Sequence, residues 1–191
     1  MIELSTSRFR YEHLLASSKN LEAIQNFKVS KKSGKGLELY LKENAVQEEK
    51  NKSNRTYLVK DKVSDEIAGY FSLRTGLFTL DTSTPDEASM YSVSAIELSN
   101  FAVNSAYKDN HPELNRIGHI MFTEFIIPIV KHVGEIVGVQ ALYIYALPEE
   151  ELIKYYKTLG FSRLDPEMEN FVHKHVKPRY DAGCYFMYQI I

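Results

Sequence analysis

A glycine set between a strand-like segment and an apolar helix is the first place in this sequence where residue types suggest chemistry. The stretch Ile96–Phe122 reads IELSNFAVNSAYKDNHPELNRIGHIMF. Its β-branched and aromatic residues, bounded by turn formers, predict a strand, and the apolar run after Gly118 predicts a helix. A helix entered through such a loop leaves backbone N–H groups without intrahelical partners, and phosphate-bearing ligands bind at such ends. His173 and His175, in FVHKHV, alternate as two ligands on one face of a strand would. No third ligand accompanies them, so no metal is expected. Cys184 precedes apolar residues and reads as a small packed side chain, not a nucleophile.

The elements that must position these residues follow from the rest of the chain. Leu4–Tyr11 predicts a first strand, and Asn20 is placed to cap a short helix through Phe27. Leu37, Leu41 and Ala45 fall at helical spacing within Leu37–Gln47, and the polar run EEKNKSNR ends that helix. Thr56–Lys60 and Ile67–Leu73 predict two paired strands, the second bent at Thr75–Gly76, and residues 81–92 read as a surface loop. The helix after Gly118 is expected to run to about His132, kinked at Pro128. Val139–Ala146 is apolar enough for a strand covered on both faces. Glu149–Glu151 suit the first turn of a helix that Gly160 ends, and CYFMYQII is a last strand. This order predicts a mixed α/β fold, a central mixed sheet with helices on both faces.

The chain of 191 residues is long enough for one domain with its own core. Its expected organisation is a helical front part over about residues 1–55 and a sheet part over about 56–191. Hydrophobic residues at 44% and charged residues at 25% are those of a soluble globular protein. No apolar run reaches membrane-spanning length, no apolar leader is visible and Cys184 has no partner for an internal disulfide. A cytoplasmic protein with no membrane partner is the expectation. Residues 1–60 hold 12 Lys/Arg against 7 Asp/Glu. That bias is weaker than a nucleic-acid footprint, so Lys28, Lys31, Lys32 and Lys35 read as solvated surface and nucleic acid is not expected as a partner.

Three segments carry a family likeness. IELSNFAV, then RIGHIMF, then LPEEELIKYYKTLGF resemble the cofactor-binding and C-terminal motifs of the GNAT acyltransferases, over about residues 56 to 190. The resemblance implies acetyl-CoA, or another acyl-CoA, as donor, no metal, and a small-molecule or peptide amine as acceptor. It implies cofactor contacts from Phe101, Ala102 and Val103 on the strand and from Asn115, Arg116, Ile117, Gly118, His119 and Ile120 in the loop. The loop departs from the family pattern of a basic or amide residue followed by two small ones. Gly118 as the first small residue puts Asn115 at the basic position and Ile120 at the last; Gly118 as the second replaces the first glycine by Arg116. Both registers stay open, and Arg116 and His119 are placed to add charge and a donor.

Catalytic roles follow from the same resemblance. A primary ammonium with a pKa of about 10.4 must lose a proton before it attacks a thioester. Glu97 stands where some family members keep a general base. Backbone N–H groups around Ala102 and Val103 match the donors for the carbonyl oxygen. Tyr156 matches the family tyrosine that protonates the leaving thiolate, while Glu149 replaces a common asparagine. Direct transfer is implied, with no acyl-enzyme. LELYLKENAVQEE, RTYLVKD and IAGYFSL are also similar to toxin acetyltransferases that act on aminoacyl-tRNA. A degenerate domain that only binds CoA, and assembly as a homodimer, are left open.

Overall fold

The segment ALYIYA is apolar at nearly every position because it forms an inner strand whose side chains are almost all buried. The computed structural model describes residues 2, 4–176, 178–179 and 182–191. Its strands are β1 (Phe9–His13), β2 (Arg55–Asp61), β3 (Ile67–Asp81), β4 (Met90–Val103), β5 (Ala141–Ala146), β6 (Ser162–Arg163) and β7 (Tyr185–Ile190). They form a seven-stranded mixed sheet in the order β1-β2-β3-β4-β5-β7-β6. β4 and β5 run parallel, while β1–β2, β2–β3, β5–β7 and β6–β7 are antiparallel. The chain divides into two compact units, one comprising the chain up to Arg74 with Ser99–Ile129, the other Thr75–Leu98 with Val130–Ile191.

In the first unit the helices precede β2. α1 (Ser18–Ala23) is capped by Ser17, whose hydroxyl accepts from the Lys19 N–H. Asn20, the cap expected from the sequence, is instead fully buried; its amide donates to the carbonyls of His13 and Leu14, and its oxygen accepts from Lys60 at 2.7 Å. α2 (Lys35–Leu39) continues through a π-helical turn, Tyr40–Asn44, into α3 (Ala45–Lys50). This helical stretch buries Tyr40, Leu41 and Ala45 against Leu58, Ile67, Tyr70 and Ala102, the stripe that the spacing predicted. The polar end of this stretch turns two carboxylates inward. Glu48 accepts from the Tyr40 hydroxyl at 3.2 Å and the Asn54 amide at 3.1 Å. Glu49 accepts from the Thr56 N–H and from Arg55 at 2.8 Å. Both carboxylates are buried because they pin the helix to the start of β2.

β3 continues through Gly76 as one strand of fifteen residues. After β4, α4 (Ser105–Asn110) occupies what reads as a plain loop, and α5 (Ile117–Met121) leads through a π-helical turn, Phe122–Ile126, into α6 (Ile127–Ile136). Proline at 128 has no N–H to give and crowds the carbonyl four residues back, which accounts for the widened turn just before it.

In the second unit, α7 (Glu150–Thr158) and α8 (Pro166–His175) follow β5 and β6. FVHKHV therefore lies at the end of a helix, not on a strand. Asp165 caps that helix by accepting from the Met168 N–H at 2.9 Å, Pro166 opens it, and acidic Glu167 and Glu169 favour its first turn. Among the described residues no group of three or more metal-ligating side chains occurs, and no helix is long and apolar enough to cross a membrane.

Asp61 closes β2. Its buried carboxylate accepts from the Tyr107 hydroxyl at 2.6 Å, Arg8 Nε at 2.7 Å and the Val63 N–H at 2.8 Å. Burial works to raise its pKa, but these donors and the Arg8 charge outweigh it and hold the carboxyl down at about 2. The unfolded value is about 3.9, so this stabilisation is complete above about pH 4 and is lost as pH falls toward 2. Denaturant titrations should show unfolding free energy falling across that window. Asp61→Asn should cost about 1–3 kcal/mol at neutral pH and flatten the acid-dependent part.

Candidate active site

The residue that follows β4 fixes the geometry of the loop. Asn104 is buried; its N–H donates to the Ala68 carbonyl at 2.9 Å and its amide to the Ile67 carbonyl at 2.8 Å. Its oxygen caps α4 by accepting from the Ala106 N–H at 3.2 Å, and also accepts from the Lys28 N–H at 3.1 Å. The end of β4, with Phe101, Ala102 and Val103, is thereby tied to the start of β3. This anchor was missed in the sequence, although asparagine before Ser105 is a good cap.

The chain then turns at His111–Leu114 and reverses into the helix at Arg116, which adopts φ +58° and ψ +30°. That left-handed conformation favours glycine, and an arginine in it is uncommon. Helical structure runs from Ile117 to Ile136, and among the described residues no side chain caps its first N–H groups. The N–H groups of Ile117, Gly118 and His119 therefore form a helix start suited to an anion. Ile117 is buried, Asn115 and Arg116 are exposed, and Gly118, His119 and Ile120 are half-buried. One turn on, Met121 meets the bare backbone of Gly69 in β3. A Cβ at Gly69 would lie 2.5 Å from Met121 Sδ and 2.7 Å from the Ala102 carbonyl. A glycine inside a strand signals such a close approach, but only the fold shows what comes close.

Tyr156 sits on α7 and is 5% exposed. Its ring stands edge-on to Phe161 at 5.6 Å. The helix stops around it: the Phe161 N–H donates to the Tyr156 carbonyl at 3.1 Å, the Gly160 N–H to the Lys157 carbonyl at 3.1 Å, and Gly160 takes φ +93°. This is the Schellman arrangement, which explains why Gly-Phe follows the tyrosine at this distance. Burial, with Tyr155 and Cys184 nearby, pushes the Tyr156 phenol well above its ordinary pKa. Burial also pushes Tyr155 up to about 12. Both phenols stay protonated at neutral pH. Glu149, at the family's asparagine position, is the N-cap residue of α7 without a capping side-chain bond.

Glu97 is buried in β4, where it accepts from the Tyr143 hydroxyl at 2.8 Å. Neither Tyr143 nor this pairing was signalled by residue spacing.

The strand order and flanking helices make this a GNAT-like α/β fold, as the motifs led one to expect. The chain is similar to a mutant AtaT toxin bound to the C-terminus of the antitoxin AtaR and acetyl-CoA, with 19% identity and a TM-score of 0.63 over 95% of this chain and 92% of that one. It is similar to a KacT mutant, with 15% identity and a TM-score of 0.65 over 96% and 95% of the two chains. A third likeness is to AtaT complexed with acetyl-methionyl-tRNAfMet, with 19% identity and a TM-score of 0.60 over 93% of each chain. No family model and no curated protein matches the sequence.

The third likeness overturns one expectation. A protein of this fold is complexed with tRNA, so the preference for a small-molecule or peptide amine over nucleic acid falls. Charge summed over sixty residues averages away local fields, whereas Lys28, Lys31, Lys32 and Lys35 are all exposed within eight residues.

Two backbone positions give stability tests. Gly69→Ala should cost about 1–3 kcal/mol through crowding and Gly160→Ala about 1 kcal/mol through left-handed strain. Gly138→Ala, where a Cβ meets nothing within 4 Å, serves as the control in the same denaturant titrations.

Proposed function

We propose that the chain is an acetyltransferase that moves the acetyl group of acetyl-CoA onto the α-amino group of an aminoacyl-tRNA. The observation that carries this reading is the left-handed Arg116 opening a helix with uncapped N–H groups, in a chain that shares its fold with a toxin solved with acetyl-CoA and with an acetylated tRNA. Arg116 then stands at the family's first glycine position, with Gly118 at the second. Its left-handed conformation is one that a glycine takes without strain, which supports that register.

In this reading the N–H groups of Ile117, Gly118 and His119 hold the pyrophosphate, with Arg116 supplying positive charge. Bound acetyl-CoA supplies a thioester whose acetyl carbon is the electrophile. N–H groups around Ala102 and Val103 steady the negative charge that grows on the carbonyl oxygen. Glu97, directly or through one water, takes the proton of the amine as the carbon–nitrogen bond forms. Tyr156 gives its proton to sulfur as the carbon–sulfur bond breaks. The products are an amide and free CoA thiol.

The acceptor's chemistry supports the choice. An α-amine has an ordinary pKa of about 7.7–8.0 and is partly neutral at neutral pH, whereas a lysine amine is not. Glu97 then has only to take up the proton that the nitrogen releases as the new bond forms. This function locates the protein in the cytoplasm, where charged tRNA is made.

Incubation with acetyl-CoA and charged tRNA should yield N-acetyl-aminoacyl-tRNA with equal release of CoA thiol. No acetylated tRNA at any salt concentration would overturn the reading. Tyr156→Phe should lower kcat about 100-fold with little change in acetyl-CoA affinity. Gly118→Val should weaken acetyl-CoA binding in a thermal-shift titration while leaving the unliganded fold intact.

A further inference from the structure

Three neighbouring strands of the second unit bring a carboxylate, a phenol and a glycine together. Glu97 on β4 and Tyr143 on β5 are register partners, the last pair of the parallel ladder that begins at Ala95 and Ala141. Glu97 is 4% exposed and Tyr143 2%. The Tyr143 hydroxyl donates to Glu97 Oε2 at 2.8 Å. On β3, Gly76 leaves the space for this reach: a Cβ there would lie 2.4 Å from the Tyr143 hydroxyl and 2.5 Å from its Cε1. Phe78 and Phe186 hold the ring, with centroids at 5.9 and 5.5 Å. The phenol is thus wedged between bare backbone and two aromatic rings, and its hydroxyl has a fixed aim.

Packing alone does not call for this arrangement. Phenylalanine would fill the same aromatic cluster, and a buried carboxylate costs free energy that an apolar residue would not. A carboxylate held this way gains a defined orientation, which proton transfer requires.

Resting on the transferase reading above, we propose that Tyr143 is the positioning residue for Glu97: its hydroxyl, seated by Gly76, holds the carboxylate in the orientation from which it takes the acceptor amine's proton. The proton leaves nitrogen for Glu97, directly or through one water, as the carbon–nitrogen bond forms. The sulfur takes its proton from Tyr156, so the charges balance.

A double-mutant cycle tests this on the full chain with acetyl-CoA and charged tRNA. Tyr143→Phe keeps the ring and should lower kcat roughly 10- to 100-fold, with KM for acetyl-CoA unchanged. Glu97→Gln should lower kcat about 100-fold, and the double variant should be no slower than Glu97→Gln alone. Gly76→Ala should lower kcat in the same way through displacement of the phenol. Wild-type kcat in Tyr143→Phe would overturn the proposal. So would a double variant slowed by the product of the two single effects, which marks Tyr143 as acting apart from Glu97. Acetyl-CoA thermal shifts on every protein keep the two readings distinct. A wild-type chain with neither shift nor transfer removes the transferase reading and this inference together, whereas shift and transfer with an inert Tyr143→Phe change remove the inference alone.

Discussion

Gly69 has no room for a side chain, and the geometry of the first unit depends on that. Met121 lies where a Cβ would be, beside the Ala102 carbonyl, so the helix that begins at Ile117 is packed directly onto the backbone of β3 and β4. Asn104 ties the end of β4 to the start of β3, and the chain from there returns through α4 and the turn at His111–Leu114 to the helix start. It does so through a left-handed arginine, at a cost of roughly 1–2 kcal/mol. Burial of Ile117, Met121, Phe122 and Phe125 offsets that cost several times over at about 1.5–3 kcal/mol for each large side chain. Strain at one backbone position is thus sustained by packing elsewhere, as is common where a ligand is held.

The second unit applies the same physics to side chains. Tyr156 and Glu97 are both nearly removed from water, so the phenol keeps its proton and the carboxylate is held by a hydrogen bond, not by solvent. The helix stop at Gly160 and the aromatic seat around Tyr143 each reduce the freedom of the neighbouring side chain. Preorganisation of this kind lets weak acids and bases act where free ones would not.

Much of this was legible in the sequence, and the losses have physical causes. β5 and the α7 stop were visible because a long apolar run and a glycine at C′ are local signals. α8 was read as a strand because FVHKHV alternates over six residues, while the deciding signals, Asp165 and Pro166, lie upstream of it. The burial of Glu48, Glu49 and Asn20 and the pairing of Glu97 with Tyr143 depend on partners 6 to 46 positions away, which no local pattern reports. The resemblance of Arg116–Gly118 to a phosphate loop left two registers open, and backbone conformation, not composition, favours one of them. Nucleic acid was discounted from summed charge, and a solved structure of the same fold with tRNA exposed the weakness of that measure.

A crystal structure of the chain with CoA bound tests the central claim most directly. The account predicts pyrophosphate oxygens within hydrogen-bonding distance of the Ile117, Gly118 and His119 N–H groups, with Arg116 still left-handed. A pyrophosphate held elsewhere, or a chain that takes up no CoA at saturating concentration, would contradict it.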